Sequence, residues 1–163
     1  MIFVTVGEQL PFDRLIHAVD EWASVSGQEV FAQIGRSALR PVHIAYKEFL
    51  APDEFKEKFL AAEFVVAHAG MGTIISALEL GKPILVMPRK AALGEVRNEH
   101  QLATARRFLT LNYISVALDE IELRENLDNL GKAVMNQSKK KIIGPPHSLL
   151  TTIREFIEAK VKD

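Results

Sequence analysis

Two hydrophobic periods alternate along this chain. Short, nearly continuous apolar runs at 2–6, 29–34, 42–46, 63–67, 84–87 and 113–117 predict strands buried on both faces, the pattern of a parallel sheet. Between them, 12–25, 52–61, 73–80, 98–110, 121–136 and 148–161 carry apolar residues at helical spacing. Strands alternating with helices predict an α/β fold, a Rossmann-like doubly wound parallel sheet. Ligands of such sheets bind beyond the carboxyl ends of the strands. Three loops of unusual composition leave strand ends, at 7–11, 68–72 and 88–98.

The pattern also sets domain boundaries. Residues 1–146 read as one domain, and no internal repeat is visible. The polar, basic stretch Asn136 to Lys141 and then Gly144-Pro145-Pro146 interrupt helical periodicity. Residues 147–163 follow as an amphipathic helix with Leu149, Leu150, Ile153, Phe156 and Ile157 on one face. That face suits packing on its own domain or on another chain.

Composition narrows the function classes. The 163 residues suit one domain with a full core, and 48% hydrophobic with 25% charged residues describes a soluble globule. A formal net charge of -1 argues against a general nucleic-acid binder. With no cysteine, disulfides and cysteine-based zinc sites are excluded. The strand at Ile2 to Val6 leaves no room for a signal peptide, and no apolar run approaches the roughly 20 residues of a membrane helix. A cytoplasmic protein is expected, one that reaches a membrane only by binding something anchored there.

The most specific chemistry lies at Ala67-His68-Ala69-Gly70-Met71-Gly72-Thr73, between a predicted strand and a predicted helix. The first amides of a helix lack intrahelical partners, and the macrodipole adds positive potential. Gly70 and Gly72 remove Cβ atoms that would hold a phosphate away, so the segment predicts a phosphate-bearing ligand. The spacing is neither the dinucleotide fingerprint nor a Walker A loop. Thr73 fits a helix cap or a phosphate contact. His68 fits a general base or phosphate donor, and equally a ring that fixes the loop.

The first loop, Gly7-Glu8-Gln9-Leu10-Pro11, fits either a simple βα turn or a backbone approach to phosphate. The third loop is long, and long loops in compact domains are usually functional. In it, Asn98 and Gln101 have capping-box spacing. Glu99, His100 and Gln101 fit sugar hydroxyls. Arg89, Lys90 and Arg97 fit a diphosphate or a carboxylate, or solvated surface charge. Neither an Asp-X-Asp sequence nor clustered metal ligands are present, so no tightly bound metal is expected. A Gly-X-Ser-X-Gly nucleophile elbow is also missing.

Taken in order, Phe3 to Gly7 with Phe12-Asp13, His68 to Thr73, Gly81-Lys82-Pro83 and Asn98-Glu99-His100-Gln101 resemble the C-terminal domain of family 28 glycosyltransferases. The likeness covers most of the chain. It is strongest to the short, single-domain donor-binding subunits of two-part UDP-sugar transferases. The Met71 to Ser76 segment and the Arg89-Lys90 loop look most like the bacterial exopolysaccharide and capsule branch.

This resemblance implies a UDP-sugar donor held in the C-terminal half of a GT-B arrangement. It places Gly7, Glu8 and Gln9 beside the diphosphate, with Gly70, Met71, Gly72 and Thr73 opposite. Phe49 and Leu50 fall beside uracil, and His100 and Gln101 beside the donor sugar. Many relatives carry a ribose-binding glutamate where this chain has Ser76, and Glu79 lies about 4.5 Å further along the helix axis. The resemblance further implies a separate, membrane-associated subunit that binds the acceptor, a lipid-diphosphate-linked saccharide. Recruitment to the inner face of the membrane would follow from that partner. The implied reaction is inverting hexosyl transfer in polysaccharide synthesis. His68 is a candidate base, unless the partner supplies one or this chain only presents the donor. The positive third loop would also suit a uronic acid donor.

Overall fold

A computed structural model of the chain describes residues 1–110 and 114–137. The expected terminal helix and its Pro145-Pro146 hinge lie outside the described residues. In chain order the elements are β1 (Ile2–Thr5), α1 (Asp13–Ser26), β2 (Val30–Gln33), β3 (Ala45–Lys47), α2 (Pro52–Ala61), β4 (Phe64–His68) and α3 (Met71–Glu79). They continue with β5 (Ile84–Met87), a 3₁₀ turn (Ala91–Leu93), α4 (His100–Thr110), β6 (Ser115–Val116) and α5 (Glu120–Gln137). The six strands form one parallel sheet in the order β3-β2-β1-β4-β5-β6.

The continuous apolar runs are explained by two cores, one on each face. Alternate residues of the central strands point to opposite sides. Ile2, Val4, Phe64, Val66, Leu85 and Met87 pack against α1 and α5 through Ile16, Val19, Leu123 and Leu127. Phe3, Val65, Ala67, Ile84 and Val86 pack against α2, α3 and α4 through Phe59, Ile74, Ala77, Ala105 and Phe108. Phe3 meets Phe55 and Phe59 edge-on, with ring centroids 5.3 and 6.1 Å apart.

Two boundaries differ from the expectations for local reasons. The predicted strand at 42–46 is displaced to Ala45–Lys47. The buried Asp20 carboxylate of α1 accepts the backbone N–H groups of Val42, His43 and Ile44 at 3.0, 2.8 and 3.1 Å, which takes these residues out of the ladder. The third helix begins at Met71 rather than at residue 73, with Gly70 at its N-cap and no side-chain cap. Thr73 therefore lies inside the first turn, and the capping role considered for it does not hold.

Strand order is what assembles a site. The chain steps outward from β1 to β2 and β3, then returns to place β4 on the other side of β1. The loops leaving β1 and β4 diverge at this reversal, and the loop leaving β5 lies next to them. Open α/β sheets bind ligands at such a point. The three loops singled out from sequence are therefore neighbours.

Candidate functional site

The innermost feature is a seam of close contacts across β2, β1 and β4. Gly35 follows β2 at φ +55, and a Cβ there would stand 2.5 Å from the Gly7 carbonyl oxygen. Gly7 follows β1 at φ +75, and its Cβ would stand 2.9 Å from Cε1 of His68. A Cβ on Gly70 would stand 2.3 Å from His68 Nε2. The imidazole is thus wedged between the first and second loops, with glycine required on both sides. No hydrogen-bond partner reaches the buried His68 Nδ1. Burial, then the positive charge of Arg89, lower the His68 pKa to about 4, against a weaker opposite influence from the Thr5 backbone. The ring is neutral at pH 7.

Beside this seam lies a cavity of about 430 Å³ lined by Val6, Gly7, Glu8, Gln9, Leu10, His68, Arg89, Val96 and Gln101. Six of the residues expected at the site meet here: Gly7, Glu8, Gln9, His68, Arg89 and Gln101. A second cavity of about 310 Å³, lined by Glu8, Leu50, Pro52 and Phe55, shares Glu8 with the first. It contains Leu50, while Phe49 next to it is half-exposed.

Arg89 has a different immediate task from the one its charge implied. It is buried, and its guanidinium donates to the carbonyl oxygens of Val6 and Leu10, both at 2.7 Å, and of Pro11 at 3.3 Å. It also lies 4.9 Å from the centroid of the Phe12 ring. Burial lowers its pKa to about 10, partly offset by Glu95, so it stays charged at pH 7. Arg89 thus clamps the first loop from beneath, while one edge still lines the cavity.

The rest of the third loop is braced in the same way. Arg14 of α1 forms a two-pronged pair with Glu95 at 2.7 and 2.9 Å and donates to the Pro88 carbonyl at 3.2 Å. Glu95 also accepts from the Lys90 amide, and Glu99 from the Ala91 amide. Gln101 Oε1 accepts from the Arg89 amide at 3.1 Å, not from Asn98, so the Asn98–Gln101 capping box does not form. Asn98 Oδ1 accepts the amide of His100, two residues on, which is a local turn rather than the box's bond to the Gln101 amide. Arg14, Glu95 and Gly35 were not singled out from sequence. Arg14 did carry a signal, since a cation in the first turn of a helix opposes the macrodipole and needs a carboxylate nearby.

The start of α3 contrasts with this bracing. Gly72 is exposed, and nothing lies within 4 Å of where its Cβ would stand. No protein contact demands glycine there. The first-turn amides of Met71, Gly72 and Thr73 receive no side-chain cap. Ser76 is brought to neither cavity above. One helical turn after Gly72, it lines an apolar groove between α2 and α3 with Phe55, Phe59, Glu79 and Leu80. His100 is exposed at the start of α4 and lines none of these cavities.

The parallel sheet with helices on both faces is a Rossmann-like domain, and its neighbours among solved structures include GT-B glycosyltransferases. The fold is shared with the calicheamicin glycosyltransferase CalG4, at 18% identity and a TM-score of 0.59, over 85% of this chain and 37% of that one. It is shared equally with the solution structure of ALG13, at 18% identity and a TM-score of 0.57, over 95% of this chain and 93% of that one. The model of the glycosyltransferase family 28 C-terminal domain matches residues 1–148, and the chain belongs to that family.

Two curated relatives place it further. The human UDP-N-acetylglucosamine transferase subunit ALG13 is 32% identical over 117 residues, which is 65% of this chain and 10% of the relative. The Yarrowia lipolytica ALG13 is 26% identical over 136 residues, 73% of this chain and 65% of the relative. The chain thus spans a tenth of the human relative and just under two thirds of the fungal one. Among the described residues no helix is long and apolar enough to cross a membrane.

Proposed function

We propose that this chain is the donor-binding, catalytic subunit of a heteromeric inverting glycosyltransferase. It carries a sugar from a UDP-sugar to a lipid-linked saccharide in polysaccharide synthesis, with a membrane-associated partner holding the acceptor. One observation carries the reading: an uncapped, glycine-opened helix N-terminus at the sheet's reversal point, beside a cavity walled by the clamped first loop. Such an end binds the phosphates of a nucleotide through backbone amides and dipole. Family membership supports the UDP-sugar, and the human relative's name as a transferase subunit supports a second chain.

The chemistry follows from these groups. A base removes the acceptor's hydroxyl proton, and the oxygen attacks the anomeric carbon from the face opposite UDP. The carbon–oxygen bond to the diphosphate breaks and UDP leaves with the electron pair. Amides of the α3 first turn and the first loop meet the developing charge, and they do so best once a partner excludes water. His68 is a poor base for this step, because its pKa of about 4 lies far below neutral pH. The partner supplies the base in this scheme, and His68 holds the loops. Arg89 is withdrawn into the clamp, so the carboxylate of a uronic acid donor would have to be met by Lys90 or Arg97.

Reconstitution with the acceptor subunit tests the proposal. Transfer from a UDP-sugar should require both chains and should fall at least tenfold with Gln101→Ala while assembly persists. A partner fully active without this chain would overturn it. A Gln101 variant with unchanged turnover would favour the other reading, a donor-presenting module that enhances a partner's own chemistry.

A further inference from the structure

We propose that Glu8 recognises the ribose diol of the bound nucleotide, and so sets selectivity for ribonucleotides over deoxyribonucleotides. This rests on the donor-binding reading above. Glu8 is the one residue shared by the two cavities at the sheet's carboxyl end. The larger is lined by Gly7, Gln9, His68 and Gln101 with one edge of Arg89, a polar surface suited to phosphate oxygens. The smaller is lined by Leu50, Pro52 and Phe55, an apolar surface suited to a flat base. A nucleoside diphosphate has the same order of parts: an apolar ring, a sugar with two adjacent hydroxyls, then the diphosphate. Laid across the two cavities, its ribose falls at their common border.

The chemistry at that border fits a diol. A carboxylate accepts through two oxygens and cannot donate. Beside a diphosphate it is repulsive unless the ligand offers it hydrogens, and the ribose hydroxyls are the donors nearest the phosphates. Glu8 is exposed and has no hydrogen-bond or ion-pair partner among the described residues. Glu95 and Glu99 nearby are both engaged with backbone amides. Ser76 and Glu79 line the α2–α3 groove, which meets the smaller cavity at Phe55 and does not reach the larger one. Among the described residues Glu8 is the only carboxylate lining either cavity.

Calorimetry on the full chain with UDP and 2′-deoxy-UDP provides the test, using wild type, Glu8→Gln and Glu8→Ala. Wild type should bind UDP about tenfold more tightly than the deoxy form, the worth of one hydrogen bond to a charged acceptor. Glu8→Ala should weaken UDP about tenfold more than it weakens 2′-deoxy-UDP, which keeps only the 3′-hydroxyl, bringing the ratio near one. Glu8→Gln, which keeps one acceptor oxygen, should fall between. A ratio unchanged in Glu8→Ala overturns the assignment while leaving the donor site standing. So does an equal loss for both ligands, which would point to the base or to the loop itself. Wild type that binds neither nucleotide overturns the donor-binding reading and this inference with it.

Discussion

The third loop and the start of α3 face the same end of the sheet and are built in opposite ways. The loop is rich in charge, yet three of its charged groups are turned inward or onto neighbouring backbone: Arg89 to three carbonyls, Glu95 to Arg14 and the Lys90 amide, Glu99 to the Ala91 amide. The α3 turn is uncharged, uncapped and open at Gly72. Charge in a loop is therefore a poor guide to which side chains face the cavity. Arg89, Glu95 and Glu99 act as scaffold, and the neutral turn at Gly72 is exposed. His68 joins the two regions, with its pKa lowered by Arg89 on one side and its ring against Gly70 on the other.

Removing the scaffold should do the most damage. Arg89→Ala strands three loop carbonyls and should cost about 3 kcal/mol by urea denaturation. A loss under about 1 kcal/mol would mean that Arg89 is surface charge after all. Gly70→Ala should cost about 2 kcal/mol, because the imidazole is held by Gly7 and cannot swing away. In a His68→Ala background the same change should be nearly neutral. Equal losses in both backgrounds would refute the wedge.

The ionisation of His68 gives a smaller signature. In the unfolded chain it takes its proton near pH 6.5, and in the fold only near about 4. Between these values the unfolded state binds more protons, so stability falls as pH drops through that window. A melting series from pH 7 to 4 should show a steeper decline in wild type than in His68→Ala. Parallel curves would place a solvated ring at this position. The smallest stability change should come from Gly72→Ala, and it should have the opposite sign. Alanine in a helix is favoured over glycine by about 0.5–1 kcal/mol, and no neighbour stands in its way. The same variant should bind UDP at least tenfold more weakly, since its methyl group stands over the amides. A variant both stabilised and fully competent would show that nothing approaches that turn.

The layers of the fold were legible because burial on both sheet faces writes itself as unbroken apolar runs, as in Phe64 to Ala67 and Ile84 to Met87. Helix amphipathicity did the same for α1 and α2. The start of β3 was not legible, because the carboxylate that displaces it lies more than 20 residues away on α1. Among candidate site residues, Gly7, Glu8, Gln9, His68, Arg89 and Gln101 do line one cavity. What sequence could not show was direction. Whether Arg89 reaches into the cavity or beneath a loop depends on carbonyls at positions 6, 10 and 11, which lie 83, 79 and 78 residues earlier. The pairing of Arg14 with Glu95 crosses a similar distance. Ser76 lies apart from that cavity for a geometric reason: one turn beyond Gly72 along the same helix stripe, it lines the groove against α2.

Amide spectra of the chain, recorded as UDP is added, test the central claim most directly. We expect saturable shifts concentrated at Gly7, Gly70, Met71, Gly72 and Thr73, with the amides of Lys90 to Asn98 moving little. Shifts led by the third loop, or no saturable shift with UDP, would contradict the account.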